Sequence, residues 1–179
     1  MATQTLRTYR PATPSLARWV AAGALAGALS VLVFHQGAIL LMYVFELTQR
    51  VPFPMQPTEP FGVPQLWSLT FWGAVWGALF AALLRPLDGA RLVAASVVLG
   101  AALPTLVAWF LVAPLKGQPV AAGFHLTGMA FGLIVNGAWG LGTGLGLLLF
   151  GGKRRERREA STDRRRLARR RSMAQPDAV

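Results

Sequence analysis

Residues Trp19 to Phe45 read WVAAGALAGALSVLVFHQGAILLMYVF, and how this stretch is understood decides the fold. It carries no charge, and its strongly polar side chains are Ser30, His35 and Gln36. A helix of a water-soluble domain repeats charge along its outer face at a period near 3.6, and this stretch has no such face. At the helical rise its 27 residues make about 40 Å. Bilayer hydrocarbon is roughly 30 Å thick, so a helix here crosses a membrane and either tilts or emerges at its far end. A cleaved signal peptide is the rival reading; the long charged leader and an apolar run longer than an h-region argue for a retained helix.

The rest of the chain follows the same logic. Of its 179 residues, 54% are hydrophobic and 14% charged, and mean hydropathy is +0.45, which together describe a membrane chain. Between Trp19 and Phe150 the charges are Glu46, Arg50, Glu59, Arg85, Asp88, Arg91 and Lys116, each at a segment end or in a connection. Further apolar helices are expected over 66–84, 92–112 and 122–150, giving an all-α polytopic bundle of four transmembrane helices. Residues 47–65 hold Pro52, Pro54, Pro57, Pro60 and Pro64, which remove backbone donors and predict an extended loop outside the hydrocarbon. Pro104 predicts a kink within the third helix.

Orientation comes from the basic residues, since Lys and Arg beside a span resist translocation. Arg7, Arg10 and Arg18 precede the first helix, Arg85 and Arg91 flank the turn between the second and third, and the tail over 151–179 is strongly basic. The other two connections hold Arg50 and Lys116. With four spans, the three basic segments fall on one side, which predicts both termini, 1–18 and 151–179, in the cytoplasm. Trp19 is expected at the inner edge, and Tyr43, Trp67 and Trp109 near the outer one.

Between helices in lipid the hydrophobic effect contributes little, and association depends on close backbone approach and on polar contacts. Gly23 and Gly27, Gly73 and Gly77, and the period-four series Gly128, Gly132, Asn136, Gly140 and Gly144 are the candidate packing positions. They serve intramolecular packing or, where a stripe is left over, homo-dimerisation.

No Asp, Glu, Lys or Arg falls inside a predicted span, which argues against a carboxylate proton relay or an arginine voltage sensor. His35, Gln36, His125 and Asn136 form the candidate intramembrane polar site. Helical offsets of seven and eleven from Ala28 and Ala24 turn His35 into the bundle. With Glu46 or Glu59, two histidines make a metal or haem site conceivable; structural histidines that bond between helices need no cofactor and are the reading adopted, with no cofactor expected. Cysteine is absent, which excludes disulfides and thiolate centres. No catalytic constellation assembles, because the aspartates and the histidines are predicted on opposite sides.

The formal charge of +11 belongs mostly to the tail, KRRERREASTDRRRLARRR from Lys153 to Arg171. Lys153, Arg154, Arg155, Arg157 and Arg158 follow the last span directly and are the candidate contacts to anionic lipid headgroups. No aromatic residue is interleaved to stack on bases, so nucleic acid is disfavoured as a partner.

FHQGA at Phe34 to Ala38, PFGVPQ at Pro60 to Gln65 and SLTFWGAVWG at Ser68 to Gly77 resemble a group of small, uncharacterised bacterial inner-membrane proteins. The resemblance covers the first two helices and their loop. It implies a bacterial plasma membrane and brings no activity, cofactor or binding residue. Three functions are therefore weighed: a non-enzymatic scaffold or accessory subunit of a homo-oligomer or larger complex; a small channel or carrier for a neutral or apolar solute; and a histidine-ligated metal or haem protein.

Overall fold

The computed structural model describes residues 15–151 together with Thr162 and Leu167. The predicted headgroup contacts Lys153, Arg154, Arg155, Arg157 and Arg158, and Arg7 and Arg10 of the leader, lie outside the described residues. Among the described residues the fold is all-α apart from a hairpin of two two-residue strands, and four helices are long and apolar enough to cross a membrane: α1 Leu16–Val44, α2 Gln65–Leu83, α3 Gly89–Leu115 and α4 Leu126–Phe150.

Several helix ends differ from the predicted ones: α3 begins at Gly89 and not at Leu92, and three further ends shift for identifiable local reasons. α1 begins before Trp19 because Ser15 caps it, its hydroxyl accepting from the Arg18 N–H at 3.3 Å. α3 runs on to Leu115 through a π turn at Ala108–Val112, four residues after Pro104, so the proline does not end the helix. α4 was expected from Ala122 and begins at Leu126. Ala121, Ala122, Gly123 and Phe124 all hold left-handed φ angles, between 49° and 66°, in a 3-10 turn over Val120–Phe124. A left-handed residue with a Cβ costs about 1–2 kcal/mol, so this turn is held by its surroundings and not by its sequence. Gly128 makes room for it, since a Cβ there would stand 2.9 Å from the Ala122 Cβ.

The helices form an array in the spatial order α2-α1-α4-α3, with α1 and α4 central. α4 is the most enclosed span and α3 the least. Glycine sets each contact. Gly23 and Gly27 meet Gly73 and Gly77 where α1 crosses α2, and a Cβ on Gly27 would fall 2.9 Å from the Gly77 Cα. α4 uses two separate stripes. Gly132, Gly140 and Gly144 face Thr105, Gly100 and Ser96 of α3, whereas Gly142 and Gly146 face Ser30, Phe34 and Ala26 of α1.

Residues α2 and α3, at the two edges, are tied to the centre by side chains. Phe80 of α2 lies edge-on to Trp139 of α4 with centroids 5.3 Å apart, and it shares a buried cluster with Trp19, Leu84, Leu92 and Leu147. Trp19 was expected as an interface ring. It is instead 1% exposed, with its indole N–H donating to the Ala81 carbonyl and its ring against Gly151. Trp19, Ala81 and Gly151 thus mark one common level at this end of α1, α2 and α4.

Replacing Gly27 or Gly77 with leucine should cost at least about 1–3 kcal/mol, because the obstacle is backbone and cannot rotate away. Gly37, which has nothing within 4 Å of an added Cβ, is the matched control. Thermal unfolding in detergent should show a lowered midpoint for Gly27→Leu and none for Gly37→Leu.

Candidate functional site

The side chains able to bind or react are the polar groups inside this array, and most arise where one helix leans on another. At the middle of the bundle Trp139 is the centre of a three-bond knot. Its indole N–H donates to the Gly27 carbonyl at 2.9 Å. Its own carbonyl accepts from the Ser30 hydroxyl of α1 at 2.6 Å and from Thr143 Oγ1 at 2.9 Å. The predicted candidates do not include Trp139. Its signal was its depth: a tryptophan far from either interface carries an N–H that needs a protein acceptor.

Between α3 and α4 the polar link is Asn136. Its Nδ2 donates to Thr105 Oγ1 at 2.9 Å, and the Thr105 hydroxyl donates to the Gly132 carbonyl at 3.2 Å. Ser96, fully buried where Gly140 and Gly144 press on it, donates back to the Leu92 carbonyl at 2.8 Å. Such back-bonding absorbs a hydroxyl that hydrocarbon cannot solvate.

His35 was expected to point into the bundle, and Gln36 takes that place. α1 contains a π turn, Val31–His35, in which the Gln36 N–H reaches the Val31 carbonyl. The inserted residue advances the inward position by one, so the buried face passes from Val31 to Gln36 and Ile39. Gln36 is 0% exposed while His35 is half-buried, its Nδ1 3.5 Å from Gln36 Nε2. Gln36 Oε1 accepts the backbone N–H of Phe53 at 2.7 Å, which ties the proline-rich loop to α1. Phe53 holds φ 53° there.

His125 does not join them. It is exposed, with an extended backbone, and immediately precedes α4 instead of lying on it. Glu46 and Glu59 are exposed as well. Among the described residues no group of three or more His, Asp or Glu side chains stands close enough together to hold a metal ion. The polar residues therefore divide into Gln36 with His35 at the loop, Asn136 with Thr105 between α3 and α4, the Trp139 knot between α1 and α4, and an isolated His125.

Every glycine singled out for packing has a close neighbour within the chain: Gly23 and Gly27 with Gly77 and Gly73, Gly128 with the left-handed turn, and Gly132, Gly140 and Gly144 with α3. None of these stripes is left facing outward. Comparison with protein-family models, curated proteins and solved structures finds no match to this chain.

Interhelical hydrogen bonds in membranes contribute about 0.6 kcal/mol on average and about 1.7 at most. A double-mutant cycle with Asn136→Ala and Thr105→Val should return a coupling in that range, read from unfolding of the protein in detergent. A coupling of zero would mean that the two side chains stabilise the array independently.

Proposed function

We propose that this chain is a non-enzymatic multi-pass membrane protein, a small scaffold or accessory subunit whose work is done by its outer surface. The observation that carries this reading is the state of the interior. Among the described residues every buried side-chain nitrogen and oxygen has a hydrogen-bond partner. Those partners are backbone carbonyls, neighbouring helices and the loop. Ser30 and Trp139 hold α1 to α4, Thr143 closes on the Trp139 carbonyl of its own helix, Asn136 and Thr105 hold α3 to α4, and Gln36 holds the loop. Catalysis or ion coordination needs donors that converge on a shared point and remain available to a substrate. Here the same donors close contacts between helices.

The outer surface has the opposite character. Leu29 of α1, Trp72 of α2, Val98 of α3 and Ile134 of α4 are all exposed. Lipid satisfies such side chains, and so does an apolar helix of a partner. The basic residues support an orientation with Arg18, Arg85 and Arg91 on the cytoplasmic side and Arg50 and Lys116 outside, and the resemblance of the first two helices to bacterial inner-membrane proteins favours the bacterial plasma membrane. The anionic leaflet then faces the Trp19 end and the basic tail.

Crosslinking in native membranes, followed by purification and mass spectrometry, should recover a stoichiometric membrane partner or a second copy. A protein that is always recovered alone would sink the accessory-subunit reading. The lack of cysteine makes topology mapping direct. Single cysteines placed at Arg50 and Arg85 should react with impermeant reagent from opposite faces, and reaction from one face would overturn the four-span orientation.

A further inference from the structure

The proline-rich connection between α1 and α2 carries an unusual surface for a segment outside the spans. Val51, Phe53, Met55 and Phe61 are exposed, Phe61 to 86% at the tip of the hairpin formed by β1 Pro57–Thr58 and β2 Val63–Pro64. In water these side chains would form an apolar patch with no partner. The depth at which the loop is tied indicates what covers them.

Gln36 lies about 26 Å along α1 from Trp19 at the helical rise. Hydrocarbon is roughly 30 Å thick, and tilt only shortens the projection, so Gln36 stands at or just below the far hydrocarbon boundary when the Arg18 charge beside Trp19 stands at the near one. The Phe53 N–H reaches this level to meet Gln36 Oε1. α1 continues about 12 Å beyond it to Val44. The chain therefore climbs past the boundary and then descends along α1 before α2 begins. Two further ties agree. The Leu66 N–H, in the first turn of α2, donates to the Pro54 carbonyl at 2.9 Å. The Arg50 guanidinium lies 4.7 Å from the Phe131 ring centroid of α4, inside that helix and not at its end.

A chain at this depth must not strand backbone donors. Pro52, Pro54, Pro57, Pro60 and Pro64 have no N–H to strand. The Phe53 N–H goes to Gln36, the Gly62 N–H to the Thr58 carbonyl at 2.9 Å, and the Thr58 hydroxyl to the Val63 carbonyl at 2.7 Å. Thr58 and Val63 also pair across the hairpin. Proline richness thus has a physical use beyond breaking helices: it lowers the cost of moving irregular backbone out of water.

We infer that residues 45–64 are a lipid-contacting hairpin that lies in the outer headgroup layer, with Phe61 inserted at the acyl boundary and Glu59 turned to water. The bound partner is the bilayer surface itself. Arg50, anchored over Phe131, keeps its charge within reach of lipid phosphates. This inference rests on the membrane reading above.

The test uses the full chain in vesicles of phosphatidylethanolamine and phosphatidylglycerol, after carbonate-resistant incorporation has been established, so that failure of the membrane reading is seen separately. Phe61→Cys and Glu59→Cys each introduce a unique thiol at an exposed position, to be labelled with bimane. The dye at 61 should be blue-shifted relative to the dye at 59, should lose most of its quenching by aqueous iodide, and should be quenched by lipids bearing a nitroxide near the headgroup. Strong iodide quenching at 61 without lipid quenching overturns the inference. Shielding from both quenchers also overturns it, because a protein surface would then cover the hairpin.

Discussion

Everything in this array depends on how closely α1 allows its two neighbours to approach. In lipid a leucine gains little by leaving acyl chains for another leucine, so helices adhere through dispersion at short range and through the few polar bonds that short range permits. Gly23 and Gly27 open one face of α1 to the backbone of α2, and Ala26 and Ser30 meet Gly142 and Gly146 of α4 on another. The Trp139 indole can reach the Gly27 carbonyl only because both backbones are near. Remove the small residues and the polar bonds go with them, since their lengths are fixed by the crossing.

The polar interior follows from the same constraint. A hydroxyl or indole N–H without a partner costs several kcal/mol in hydrocarbon, so each must close on an acceptor. Ser96 closes on its own helix, Ser30 and Asn136 on a neighbour, and Gln36 on the loop. The π turn in α1 fits this pattern. By adding one residue between Ser30 and Gln36 it lets Ser30 address α4 and Gln36 address the loop from one continuous helix. A regular helix would have turned His35 inward instead.

The spans, a short connection at Arg85 and the irregular proline segment were legible in the sequence, because each rests on composition over many residues, although Gly89 to Arg91, expected in the turn, belong to α3. Helix pairing was not. The period-four glycines of α4 stood out and indeed lie along α3 and the preceding turn, but Gly142 and Gly146, which meet α1, are hidden in a segment where every second or third residue is small. The π turn was invisible for a different reason: it changes hydrogen bonding without changing residue preference. Ala121 to Phe124 misled the helix boundary because alanine favours a right-handed helix, and only tertiary contact holds it left-handed. Trp19 and Trp139 were hard to place because tryptophan suits both an interface and a buried acceptor, and depth alone separates the two.

Helix length carries one more consequence. α2 has 19 residues, about 28 Å, which matches the hydrocarbon, while α1 with 29 and α3 with 27 exceed it by a third or more. Trp19, Ala81 and Gly151 meet at one level, and Leu84 and Leu92 join the same buried cluster, so the helices are aligned at that end. Most of the surplus then appears at the loop end, since only three residues of α1 and three of α3 precede Trp19 and Leu92. There Val44, Leu115 and Leu126, at the ends of α1, α3 and α4, are exposed, so that a collar of apolar side chains is left where the longer helices outrun α2. Tilting could shorten α1 and α3 in projection, but their common alignment with α2 limits how far each can lean alone. A collar of this kind is stable where headgroups and acyl chains mix. The unequal helices and the donor-poor loop are therefore two responses to one boundary, the first raising apolar surface to it and the second bringing backbone down to it.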